Sequence, residues 1–187
     1  MENNQKIVCS NIWKLFGPNE KNVLSNLDQS LSRNEVQEKT GHVVAVKEVS
    51  FSVQKGETFV VMGLSGSGKS TLVRCLSRLI EPTSGLVTID GVDVTKMNNK
   101  ELTDLRRNRM SMVFQHFGLF PHRRVIENIG YGLEIRGVGK KERTEKSMET
   151  LKLVGLDGWD QHYPRELSGG MQQRVGLARA LAVDPEI

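Results

Sequence analysis

An α/β fold is predicted by three neighbouring observations. Phe59-Val60-Val61-Met62 is a continuous apolar run, too short for a helix and suited to a parallel strand covered on both faces. A glycine-rich run from Gly63 to Gly68 follows at once. Beyond it, from Lys69, Leu72, Leu76 and Ile80 recur four apart as a helical stripe, which Glu81-Pro82-Thr83-Ser84-Gly85 brings to an end.

The flanking elements follow from the same periodicities. In residues 43–53, Val49, Phe51 and Val53 alternate with polar residues, which predicts a half-buried strand turned by Lys55-Gly56. Residues 86–90 predict a short strand, Asn98 is placed to cap a helix carrying Leu102 and Leu105, and residues 110–114 predict another buried strand. After Pro121 the pattern turns helical: Val125, Ile129 and Leu133 share one face, and Met148, Leu151 and Val154 support a second helix over 140–154. The polar segment 18–42 spaces Leu24, Leu27 and Leu31 for one short amphipathic helix. No internal repeat or low-complexity run is present.

Bulk properties narrow the class. With 187 residues, 37% hydrophobic and 26% charged, the chain can bury the core of one ordinary domain, which argues against disorder. No stretch approaches the roughly 18 apolar residues of a spanning helix, and residues 1–6 are polar, so neither a spanning segment nor a secretory leader is expected. Cys9 and Cys75 belong to no Cys-x-x-Cys or Cys/His cluster, which points to a reducing, cytoplasmic compartment. The net charge of +4 is spread along the chain, with short clusters such as Arg106, Arg107 and Arg109 and few aromatics among them. That pattern favours a solvated face over a nucleic-acid patch, and suits work beside an anionic inner leaflet.

Gly63-Leu64-Ser65-Gly66-Ser67-Gly68-Lys69-Ser70 fits the G-x-x-x-x-G-K-[ST] pattern of a P-loop, with Thr71 next. Glycines without a Cβ let successive backbone N–H groups turn inward around oxyanions. The helix opening near Lys69 adds the positive end of its dipole, the Lys69 ammonium reaches the β- and γ-phosphates, and the Ser70 hydroxyl is a magnesium ligand. ATP with Mg2+ is the expected ligand.

Leu167-Ser168-Gly169-Gly170-Met171-Gln172-Gln173-Arg174 precedes the alanine-rich helix Val175-Gly176-Leu177-Ala178-Arg179-Ala180-Leu181-Ala182, and Ser168 can cap it. Alone, this would be an ordinary helix start. Paired with the P-loop, it resembles the signature of the ATP-binding subunits of ABC transporters, Leu-Ser-Gly-Gly-Gln, here with Met171 at the fifth position and Gln172 after it. The resemblance implies a P-loop NTPase with a mixed N-terminal β subdomain, a RecA-like core and a helical subdomain. Residues 1–187 would be one partial nucleotide-binding domain, with 18–42 as an insertion and about 116–167 as the helical subdomain.

Several roles come with that resemblance. Ser168, Gly169 and Gly170 would meet the γ-phosphate of an ATP held by a second copy, giving a head-to-tail homodimer that drives attached membrane permeases, and through them works with a solute-binding protein. Gln115, after the strand expected at 110–114, matches the glutamine that helps hold magnesium and senses the γ-phosphate. Phe117, Leu119, Phe120 and Pro121 form an apolar loop that either faces a permease or fills the core. Phe16, just before Gly17, is the candidate for stacking on adenine, with Trp13 or plain packing as alternatives. The expected location is the cytoplasmic face of the plasma membrane.

The likeness is strongest to glycine betaine/proline (quaternary amine) importers, with methionine and other small-solute importers as rivals. The family would continue beyond Ile187 into the Walker B strand, the catalytic glutamate, the D-loop and the switch histidine. No catalytic residue is therefore expected within 1–187, and an exposed apolar edge is expected at 59–62, where the next strand would pack. ABC ATPases acting on nucleic acid are a further alternative, disfavoured by the short stretch between Gln115 and Ser168. Small-molecule kinases and GTPases share the loop without any need for Leu167 to Met171.

Overall fold

The computed structural model describes residues 4–187, which fall into two compact units divided between Leu102 and Thr103.

The first unit is built on β1 (Gln5–Phe16) and β2 (Val43–Gln54), joined by an excursion containing α1 (Glu20–Ser25) and α2 (Arg33–Thr40). It continues with α3 (Lys69–Leu76), β3 (Ser84–Ile89), the two-residue β4 (Val92–Asp93) and a 3-10 turn at Val94–Lys96. The sheet order is β2-β1-β3-β4 and every pairing is antiparallel. Central β1 takes two partners, with Cys9 opposite Phe51 on one side and Val87 on the other.

The excursion covers one end of this sheet. Val36 of α2 and Leu24 of α1 pack with Trp13, Leu15 and Val44, while Val23, Leu27 and Leu31 close the edges. In place of one helix through Leu24, Leu27 and Leu31, the chain forms two. The Asp28 carboxylate accepts from the Ser30 N–H at 3.0 Å and its hydroxyl at 2.7 Å, a local turn that competes with helix continuation. Helix α2 then restarts at a capping box, in which the Glu35 N–H donates to Ser32 Oγ at 3.3 Å and the Ser32 N–H to Glu35 Oε2 at 2.8 Å.

Three strand and helix expectations need correction. Residues 59–62 form no strand: among the described residues no strand pairs with them, and a parallel strand takes its hydrogen bonds from neighbours. Phe59, Val60 and Met62 are exposed instead, Met62 at 84%, with Val61 half-buried, and the Phe59 ring stacks on Phe51 at 4.6 Å. Apolar side chains are exposed there, but on irregular chain and not along the edge of a strand. Residues 110–114 also lack strand structure. Flanking bonds remain: the Ile187 N–H donates to Arg109 O and Ile187 O accepts from the Ser111 N–H, the pattern of a parallel pair one residue long. Finally, α3 stops at Leu76 rather than Ile80. Arg78 turns left-handed (φ 50°) and spends its guanidinium on Val94 O, Met97 O and Glu81.

Helix α4 (Asn99–Asn108) spans the boundary of the units and begins as expected, with Asn98 Oδ1 accepting from the Lys100 and Glu101 N–H groups. The second unit holds α5 (Val125–Ile129), α6 (Tyr131–Ile135), α7 (Lys140–Leu153), a 3-10 turn at Pro164–Glu166 and α8 (Gly169–Leu181). Val125, Ile129, Leu133, Leu151, Leu156, Val175 and Ala178 form its core. At roughly 1.5–3 kcal/mol per buried large side chain, this packing supplies most of the stability of helices too short to persist alone. Gly130 lets α5 and α6 press on α7: a Cβ there would lie 2.8 Å from Ser147 Oγ and 2.9 Å from Arg143 Cγ.

Candidate nucleotide site

In the first unit the glycine loop runs directly into α3. Gly66 (φ +78°) and Gly68 (φ +97°) occupy the left-handed region, which L side chains enter at a cost. Gly68 is also the last residue before the helix, and its carbonyl accepts the first helical bond, from the Leu72 N–H at 2.9 Å. It lies so close to β2 that an added Cβ would be 2.0 Å from Ala45 O. Glycine is therefore required there twice, by dihedral and by space.

The Lys69 ammonium spans the loop. It donates to Gly63 O and Leu64 O, both at 2.8 Å, and to Ser67 Oγ at 3.4 Å. Leu64, Ser65 and Ser70 are exposed, and Thr71 is half-buried on the first turn of α3. The Ser67 N–H closes the loop onto Leu64 O at 3.2 Å. A cation and a hydroxyl thus sit at the start of a helix, beside backbone free of Cβ at Gly66 and Gly68, the chemistry that a polyphosphate and its magnesium ion need.

Of the aromatic candidates, Trp13 is 2% exposed within the sheet's core, so its ring has no face to offer a ligand. Phe16 is 43% exposed at the end of β1, with the Lys14 ammonium 5.1 Å from its ring centroid. Lys14 itself is buried and paired with Glu20 at 2.7 Å.

Gln115 lies exposed in the second unit, followed by a tight turn in which Phe117 (φ 58°) and Gly118 (φ 56°) are left-handed. Two side chains that the sequence reading had not singled out hold this turn. Arg179 of α8 donates to Gly118 O at 2.7 Å and Phe117 O at 2.8 Å, and burial pushes its guanidinium below the ordinary value. Asn128 of α5, fully buried, binds the backbone of Phe120, Arg123 and Arg124. Phe117, Leu119 and Phe120 are consequently half-buried.

Ser168 caps α8, its hydroxyl accepting from the Met171 N–H at 3.3 Å. Ser168, Gly169 and Gly170 are all exposed, and nothing lies within 4 Å of a Cβ built at either glycine. The first turn of this helix is open to an approaching group. Among the described residues, no three His, Cys, Asp or Glu side chains converge on a metal position, and no helix is long and apolar enough to cross a membrane.

Comparisons with known proteins place the chain in a family. A family profile described as "ABC transporter" matches residues 46–187. The trimethylamine N-oxide transport system ATP-binding protein TmoW of Pelagibacter ubique is 54% identical over 181 residues, 97% of this chain and 53% of that protein. The glycine betaine/carnitine transport ATP-binding protein GbuA of Listeria monocytogenes is 54% identical over 182 residues, 97% of this chain and 46% of that protein. The chain thus spans about half the length of the curated relatives it matches. Among solved structures, a dimeric post-hydrolysis state of the ATP-binding cassette MJ0796 bound to ADP and Pi superposes with a TM-score of 0.79 at 33% identity, covering 96% of this chain and 70% of that one. The profile covers more than half of the chain and the relatives nearly all of it, and the chain belongs to the ABC transporter family.

Proposed function

We propose that this chain is the ATP-binding and ATP-hydrolysing part of an ABC importer for glycine betaine, proline betaine or related quaternary amines. One observation carries the nucleotide part: the Lys69 ammonium stands at the head of α3, held by loop carbonyls and a hydroxyl that phosphate oxygens can replace. In this reading Gly63, Leu64, Ser65, Gly66, Ser67, Gly68, Lys69, Ser70 and Thr71 bind the phosphates, Ser70 supplies a hydroxyl to Mg2+, and Phe16 stacks on the base. Bound magnesium would neutralise charge on the terminal phosphates. Gln115 takes the family's role as magnesium contact and γ-phosphate sensor. No carboxylate among the described residues is assigned to orient the attacking water.

Ser168, Gly169 and Gly170 are read as the surface that meets ATP on a second copy, which makes the working unit a homodimer attached to permease subunits at the cytoplasmic face of the membrane and served by a solute-binding protein. Nucleic acid has no part in it. The open first turn of α8 supports this, because an uncovered helix start with glycines at its first positions favours an anion. Residues 18–42 are an insertion and about 116–167 a helical subdomain in a single nucleotide-binding domain. The solute class rests on the names of relatives such as the glycine betaine transport protein OpuAA of Bacillus subtilis, 54% identical over 182 residues.

Uptake of labelled glycine betaine and labelled methionine, in cells with and without the gene, tests the proposal. Betaine uptake that needs the gene and is abolished by Lys69→Ala is expected. Gene-dependent uptake of methionine alone would overturn the solute class, and betaine uptake indifferent to Lys69→Ala would overturn the nucleotide site.

A further inference from the structure

The excursion between β1 and β2 lies ahead of the residues matched by the family profile, so the profile gives it no role. It nevertheless reaches the glycine loop. Arg33, the first residue of α2, directs Nη1 at Ser67 O, 3.4 Å away, on the loop that Lys69 spans from inside.

This reach is built into the fold. Lys47 on β2 donates to Gln29 O at 2.7 Å and Leu31 O at 2.9 Å, tying down the approach to the helix. The Ser32–Glu35 capping box fixes the first turn, the turn that carries Arg33. Val36, 2% exposed, anchors the same turn against Trp13, Leu15 and Val44. Arg33 itself is exposed. A guanidinium has five N–H donors and stays charged at any physiological pH, so one contact to a carbonyl leaves its charge and most of its donors available.

We infer that Arg33 is a second phosphate-directed cation of the nucleotide site, supplied by the excursion, and that it strengthens binding of nucleoside polyphosphates through its charge. The inference rests on the reading of residues 63–71 as that site. Lys69 works from within the loop; Arg33 adds positive potential from its rim. An exposed cation acts through a screened field, so its contribution is modest and depends on salt.

Binding of ATP with magnesium to the full-length protein tests this, comparing wild type, Arg33→Gln, Arg33→Lys and Lys69→Ala near 0.01 M and near 1 M salt, where the screening length falls from about 30 Å to about 3 Å. Glutamine removes the charge while keeping a polar N–H donor on a shorter side chain. Arg33→Gln is expected to bind about two- to fivefold more weakly at low salt, the scale of one exposed charge, and like wild type at high salt. Arg33→Lys should restore most of the loss. An unchanged affinity for Arg33→Gln at low salt, or a loss of equal size at both salt concentrations, would overturn the role of Arg33. Should Lys69→Ala bind as wild type does, it is the nucleotide site itself that fails.

Discussion

Asn128 holds Phe120 at both of its backbone groups: Oδ1 accepts from the Phe120 N–H at 2.8 Å and Nδ2 donates to Phe120 O at 3.1 Å. The same Nδ2 reaches Arg123 O and Arg124 O. A single fully buried amide therefore pairs with four backbone groups between Phe120 and Arg124. Replacing it with alanine removes all four bonds, although Phe120 O and Arg124 O keep the N–H groups of Arg123 and residue 128 as partners, at a cost of about 1–3 kcal/mol. Asn128→Asp should be no better, because a carboxylate cannot donate to the three carbonyls. Denaturant midpoints of the two variants check this, and wild-type stability in Asn128→Asp would refute it.

Gly68 and Gly66 make an internal contrast. Gly68→Ala drives a methyl onto Ala45 O of β2, a backbone atom that cannot swing away, and should cost about 1–3 kcal/mol for overpacking in addition to left-handed strain. A Cβ at Gly66 meets nothing within 4 Å, so Gly66→Ala bears only the strain, about 1 kcal/mol. Melting temperatures measured side by side should place Gly68→Ala clearly lower. Equal shifts would mean that the loop relaxes away from β2.

Ser32 is a cap whose loss is felt at a distance. Ser32→Ala removes the acceptor for the Glu35 N–H and should cost about 1 kcal/mol. Hydrogen bonds from the Ser32 hydroxyl and N–H also hold the Glu35 carboxyl below its ordinary value. A depressed carboxyl stabilises the fold above its unfolded pKa, and that contribution is lost as pH falls through the folded value. The stability gap between wild type and Ser32→Ala should therefore narrow in acid, which unfolding at pH 7 and pH 3 would measure.

The two thiols make the opposite prediction, in alkali. Burial pushes Cys9 up to about 12, helped by nearby Cys75, and pushes Cys75 up to about 11, from an ordinary value of 9.0. Groups raised on folding stabilise fully below their unfolded pKa and lose that contribution as pH rises through the folded one. Stability should thus fall between about pH 9 and pH 12 more steeply in wild type than in a Cys9→Ala, Cys75→Ala variant. Denaturant midpoints at pH 8 and pH 10.5 give the comparison, with parallel slopes as the negative result.

Local signals were the readable ones. Asn98 and Ser168 announce their helices because a cap is decided by residues three apart, and the glycines before Lys69 mark a loop because only they fit its dihedrals. Strand β1 gave no such sign. Ile7 and Cys9 alternate into the core, but beyond the left-handed Asn11 and the register shift beside it the alternation gives way to an unbroken buried run, residues 12–15. The run at 59–62 was legible as apolar and misread as paired, since pairing depends on residues far along the chain. Asn128 left a clue: a polar residue beside Ile129 on a buried helical face needs partners. Arg33 left none, because a charged residue opening a helix is ordinary until the fold sets it against Ser67.

Phe16 faces Val43 in the β1–β2 ladder, so the hairpin is already closed where the excursion of residues 17–42 departs and returns. A tight turn could join the same two strand ends without disturbing a rung. Such a shortened chain would lose Leu24 and Val36, and the indole of Trp13 would then face water. Position 13 is thus mortgaged to the excursion, and a relative lacking that segment would do better with a smaller, more polar residue there.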